Sequence, residues 1–373
     1  VHIDNDIYKE IRPYNDDEVS GAIQRLIDDK DFINAILKYR FPHASGMFGW
    51  LLIPLIKRFL VKKWSGIKSV KDIQNQVAKY MQGTIEHSCD GVTCTGLDKL
   101  DPNKAYLFVS NHRDIAMDPA MVNWCLFKEN FNTVRIAIGD NLLKKPCATE
   151  LMRLNKSFIV KRSAKGPREL MKSLGLLSSY ISHSLETGNN IWIAQKEGRA
   201  KDGNDKTDPA ILKMFFMEGR KQKIPFSEFM SNLNIVPVAI SYENDPCDVA
   251  KAEELYQKAS TGSYEKGEFE DIESIVQGIV GQKRRIHISF GDVINNAPET
   301  PEELAEEIDR QITENYHLFP ANFIAANIDS DIVTDEERNK FAQKLENHSD
   351  SVNDILKQMY ALPALKKQQQ HSM

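Results

Sequence analysis

The fold is decided by Ala105-Tyr106-Leu107-Phe108-Val109-Ser110-Asn111-His112-Arg113-Asp114-Ile115-Ala116-Met117-Asp118-Pro119. An apolar run at 105–109 has the composition of a buried strand. The polar residues after it read as a loop, and a helix is expected from Pro119. In open α/β sheets, reactive groups gather outside the carboxyl ends of strands, where such a loop lies.

Working outward, short apolar runs recur at 134–138, 158–160, 191–194, 235–240 and 285–290. Helical periodicity separates them, most clearly over Arg168 to Glu186 and Ala210 to Glu218. Strands alternating with helices predict an α/β class with a mainly parallel mixed sheet flanked by helices. Upstream, Asp16-Asp17-Glu18-Val19 opens a periodic stretch through Ile23, Leu26, Ile27, Phe32, Ile33, Ile36 and Leu37, and Ser69 can cap a helix running towards Met81. Beyond Pro298 the texture is helical again, with Thr300-Pro301-Glu302-Glu303 as a start signal and 366–371 expected to fray. The expected organisation is a helical N-terminal region at 1–88, an α/β domain at 89–298, and a C-terminal helical segment at 299–373 packing on that domain.

The formal net charge of -5, with 41% hydrophobic and 27% charged residues, is that of a globular protein and argues against a dedicated nucleic-acid partner. Five cysteines with no C-x-x-C pair read as reduced thiols, and no signal peptide is recognised in Val1-His2-Ile3-Asp4-Asn5-Asp6, so a cytoplasmic location is expected. Residues 47–64, with Trp50, Trp64, Lys57, Arg58, Lys62 and Lys63, are too short an uncharged run to span a bilayer. Two readings stay open for them: a segment lying on the membrane surface, which would make the protein peripheral on the inner face, or a core helix of a bundle.

His112 is a candidate general base, and a carboxylate close by in sequence can fix its tautomer. His112-Arg113-Asp114 also opens the kinase pattern H-R-D-x-x-x-x-N. Pro119 stands where that pattern needs asparagine, and Phe290-Gly291-Asp292 is not D-F-G, which removes the kinase reading.

Four blocks, spread over about 130 residues, occur in the order seen in the glycerolipid acyltransferases, the family of glycerol-3-phosphate and 1-acylglycerol-3-phosphate acyltransferases. They are Asn111-His112 with Asp118-Pro119, Ser157-Phe158-Ile159-Val160-Lys161-Arg162, Glu197-Gly198-Arg199, and Ile235-Val236-Pro237-Val238. The chain resembles that family, with two departures. Five residues separate His112 from Asp118 where the family usually has four, which leaves Asp114 open as a second candidate partner. The third block is one residue short, with Lys196 in place of a proline.

The resemblance implies an O-acyltransferase of phospholipid biosynthesis with His112 and Asp118 as catalytic residues and 89–298 as the acyltransferase domain. Arg162, Glu197, Gly198 and Arg199 would hold the acceptor phosphate, with Lys161, Lys165 and Lys196 adding charge nearby. The acyl thioester donor would be acyl-CoA or acyl carrier protein, the acceptor glycerol-3-phosphate or a lysophospholipid, with no metal and no tightly bound cofactor. The shortened third block keeps a second reading open: a catalytically altered acyltransferase fold serving as a lipid or membrane-surface binding module.

Overall fold

The protein is described here from a computed structural model covering residues 6–41, 49–163, 166–267, 269–346 and 348–372. Met47, Phe48 and Lys165 lie outside the described residues. The chain begins with α1 (Asp16–Asp28), α2 (Lys30–Arg40), α3 (Gly49–Trp64) and α4 (Val70–Ser88). There follow β1 (Gly91–Thr95), β2 (Leu107–Ser110), α5 (Met117–Lys128), β3 (Arg135–Gly139), α6 (Pro146–Leu154), β4 (Ser157–Val160) and α7 (Pro167–Glu186). Next come β5 (Ile191–Ala194), α8 (Pro209–Gln222), α9 (Phe226–Asn232), β6 (Ile235–Tyr242), α10 (Asp248–Thr261), α11 (Glu270–Val280) and β7 (Arg285–Phe290). Four helices close the chain: α12 (Pro301–Asn315), α13 (Pro320–Ala326), α14 (Asp335–Leu345) and α15 (Asp350–His371).

Two compact units divide these elements. The first comprises residues up to Tyr80 together with Val134–Tyr180. Its core is the apolar stripe of α1 and α2, with Val19, Ile23, Leu26 and Ile33 packed against Ile56 and Leu60 of α3. The periodic stretch from Asp16 to Leu37 is two helices, because Asp29 is extended (ψ 123°) and its carboxylate accepts from Phe32 N at 2.8 Å. The same unit holds the parallel pair β3 and β4, in register Ile136↔Ser157 to Gly139↔Val160.

The second unit, Met81–Thr133 with Ile181–Met373, is a five-stranded sheet in the order β1-β7-β6-β2-β5. All its pairings are parallel except β6 with β7, so the class is α/β with a mainly parallel mixed sheet. β2 runs between β5 and β6, and Leu107, Phe108 and Val109 are wholly buried. Such a strand reads as a continuous apolar run. β1 escapes that reading: Gly91-Val92-Thr93-Cys94-Thr95 pairs with β7 on one side and is only partly buried. α12 packs on β6, and α15 packs on α10, α12 and α13. The tail expected to fray is helical as far as His371. Lys366 Nζ donates to Asp205 O at 2.8 Å and Lys367 Nζ to Tyr316 O at 2.9 Å, and these bonds fasten the last turns.

Candidate active site

The site is built where β2 ends. Along a strand successive side chains point to opposite faces, so Ser110 and His112 share one face and Asn111 points to the other. On the His112 face, Trp192 of β5 meets the imidazole edge-on, with ring centroids 5.7 Å apart at 71°. Its indole N–H donates to Ser110 Oγ at 3.0 Å, which holds the ring in place.

His112 Nδ1 lies 2.8 Å from Asp118 Oδ2. The same oxygen accepts the amides of Arg113 at 2.6 Å and Asp114 at 2.9 Å, while Tyr242 OH donates to Oδ1 at 2.9 Å. Asp118 has no exposure, and His112 keeps 13% of its side chain accessible. Every other contact of this carboxylate is with a donor, so the imidazole proton belongs on Nδ1 and the lone pair on Nε2 is left to take a proton. Burial, with the charges of Asp118 and Asp114, pushes the Tyr242 phenol well above its usual range, so it stays protonated as a donor.

Asp114 has a different task. Its Oδ1 accepts from the amides of Ala116 at 2.9 Å and Met117 at 2.8 Å, the capping geometry at the start of α5. The partner of His112 is therefore Asp118. Burial first, then the Asp118 charge, pushes the Asp114 carboxyl up. The amides of Arg113, Asp114, Ala116 and Met117 all have side-chain acceptors within the loop.

Glu197-Gly198-Arg199 forms the turn after β5, in the same unit as the dyad. Ala200 N donates to His112 O at 2.9 Å, which ties this turn beside the His112 loop. Gly198 has φ +77° with open space about its Cα. Glu197 is exposed; Arg199 is partly buried, with a guanidinium N–H 3.4 Å from Ser274 Oγ of α11. Lys196 Nζ donates to Asn204 O at 3.3 Å.

Arg162 belongs to the first unit, just past β4, where it is exposed next to exposed Lys161. Its amide donates to Asp140 Oδ1 at 3.1 Å, and Ser163 Oγ to Asp140 Oδ2 at 2.5 Å. Partial burial pushes the Asp140 carboxyl up, but the Ser163 and Arg162 bonds win and hold it below its usual value. The Arg162 guanidinium lies directly over Gly139: a Cβ there would sit 2.9 Å from Nε.

Sequence reasoning missed Tyr242 and the Arg113 amide as partners of Asp118, and Asp205 as the acceptor of the Arg113 guanidinium. Tyr242 alone had a readable signal, since it continues the alternation of Val238 and Ile240 on the face shared with Ser110. Among the described residues, no group of three or more His, Cys, Asp or Glu side chains is placed to hold a metal ion.

The class of protein defined so far is a mainly parallel α/β domain with a histidine and a buried carboxylate at the carboxyl end of an inner strand. Residues 91–241 match the family profile described as Acyltransferase. A solved structure similar to the chain is the 1-acyl-sn-glycerophosphate (LPA) acyltransferase PlsC from Thermotoga maritima. The likeness has a TM-score of 0.37 and 13% identity, covering 79% of this chain and 94% of that one. No curated protein matches the chain.

Proposed function

We propose that the protein is an O-acyltransferase that moves a fatty acyl group from acyl-CoA or acyl carrier protein to glycerol-3-phosphate or 1-acylglycerol-3-phosphate. The observation that carries this reading is the dyad: Nδ1 of His112 is engaged by a buried carboxylate, and Nε2 is left as the proton acceptor. The acceptor hydroxyl gives its proton to Nε2 as its oxygen attacks the thioester carbonyl. The C–S bond then breaks, and the proton passes to the leaving thiolate. Asp118 offsets the positive charge that builds on the imidazole. No serine or cysteine nucleophile is required, because the substrate supplies the hydroxyl.

Arg199, beside the dyad, is the proposed phosphate ligand in this unit, with Gly198 letting the turn approach and Glu197 orienting an acceptor hydroxyl. Arg162 is proposed as a second phosphate ligand on the strength of its sequence block. The test is release of free thiol from labelled acyl-CoA and acyl carrier protein donors across a screen of acceptors. Thiol release that requires a phosphorylated glycerol acceptor supports the reading; release independent of any acceptor would make the protein a thioesterase. In the same assay Gly139→Ala is expected to displace the Arg162 guanidinium and raise the acceptor KM by about tenfold, the order of one charge-assisted hydrogen bond. An unchanged KM would remove Arg162 from the phosphate site.

Membrane-surface attachment is the second part of the proposal. α3 joins both sequence readings, with Ile56 and Leu60 in the core of the first unit and Trp50, Leu51, Leu55, Phe59 and Val61 exposed. Arg58, Lys62 and Lys63 are exposed along the same helix. Among the described residues no helix is long and apolar enough to cross a membrane. An apolar stripe edged by cations fits an anionic bilayer surface. Leu55→Asp with Phe59→Asp should lower co-sedimentation with anionic vesicles by about tenfold or more, from the apolar area no longer buried. Equal binding would exclude α3 as the anchor.

A further inference from the structure

Asn111 and Arg113 flank His112, and both reach one oxygen atom. Asn111 Nδ2 donates to Asp205 Oδ2 at 3.2 Å, and the Arg113 guanidinium donates to the same Oδ2 at 2.6 Å. Asn111 is further fixed to β6, accepting from Ile240 N at 2.7 Å and donating to Ile240 O at 3.0 Å. Arg113 also donates to the carbonyls of Ala200 at 3.1 Å and Gly203 at 3.3 Å. Anchored neighbours on either side of a residue fix the backbone that directs its side chain. His112 is presented in this way to Asp118.

The same anchoring aims a backbone donor. With its guanidinium held by Asp205 and its carbonyl accepting from Lys251 Nζ at 2.6 Å, Arg113 is left with its N–H directed at Asp118 Oδ2. Asp205 is nearly buried, and its backbone carbonyl accepts from Lys366 of α15. Its other carboxylate oxygen, Oδ1, is buried without a hydrogen-bond partner, so both arms depend on Oδ2.

The geometry points to Asp205 as a positioning residue of the dyad: through Asn111 and Arg113 it sets the backbone on either side of His112, and with it the imidazole–carboxylate bond. The kinetic arm of this proposal rests on the acyl-transfer reading; the spectroscopic arm does not. In the purified full chain, Asp205→Asn is expected to lower kcat by about 100-fold, the cost of roughly an ångström of misplacement, with both KM values nearly unchanged. Arg113→Lys, which keeps the buried charge but shortens the reach, is expected to lose kcat in the same manner. In both variants the low-field Nδ1 proton resonance of His112, present in the parent protein, should weaken or vanish.

Either variant, folded, with parental kcat and an unaltered Nδ1 signal would overturn the proposal. So would a loss of kcat that tracks the loss of folded protein, with the signal of the folded fraction unchanged. If the parent protein transfers no acyl group at all, the functional reading fails, and the Nδ1 resonance alone decides the role of Asp205.

Discussion

Replacing His112 with alanine is expected to lower kcat/KM for acyl transfer by about 1,000-fold or more, the range of general-base contributions. The imidazole is the only proton acceptor that the loop offers at this position. Asp118 is fully buried with donors on both oxygens, and Asp114 is engaged in capping α5. The fold should survive: the ring keeps some exposure and packs edge-on against Trp192, so melting should shift by only a few degrees. Thiol release and ester formation measured side by side check this result. Undiminished turnover would remove His112 as the base.

Asp118→Asn is expected to have the second largest effect, about 100-fold or more in kcat, with little loss of stability. The reason lies in what surrounds each oxygen. The amide oxygen of asparagine can take the place of Oδ2 and still accept from His112, Arg113 N and Asp114 N. The amide nitrogen then faces Tyr242 OH, which can turn from donor to acceptor. Geometry is retained while the negative charge that stabilises an imidazolium is lost. Asp118→Ala differs: it leaves two backbone amides and a buried phenol without acceptors, at about 1–3 kcal/mol each. A large kcat loss with near-parental melting in the asparagine variant, against a marked melting loss in the alanine variant, would separate charge from scaffold. Parental kcat in Asp118→Asn would show that the carboxylate charge has no part in the reaction.

The legible parts of the fold were those with strong local periodicity or continuous burial. β2, β5, β6 and β7 stood out as apolar runs, and the capped starts of α1 and α12 were visible in Asp16-Asp17-Glu18 and Thr300-Pro301-Glu302-Glu303. β1 was not legible, because a strand paired along one side and only partly buried needs little apolar alternation. The break at Asp29 was hidden inside one apolar stripe, since an N-cap changes the backbone without interrupting the 3.6-residue pattern. The end of α15 looked polar enough to fray, yet Lys366 and Lys367 are held by carbonyls that lie far from them in the chain.

The site divides in the same way. Residue types and order along the chain singled out His112, two candidate carboxylates and the Glu197-Gly198-Arg199 turn. The choice between Asp114 and Asp118 needed the direction of the first turn of α5, which aims Asp114 at its own helix amides and Asp118 at the imidazole. Tyr242, Arg113 and Asp205 entered only with the tertiary structure. A hydrogen bond depends on the approach of two groups in space, and these partners come from segments that the chain brings together only when the sheet closes. The sequence by itself determined which side chains can carry the chemistry; the packing of β5, β6 and the 200–207 loop around β2 decided which way His112 faces, because only neighbours on both sides of the strand can fix its backbone.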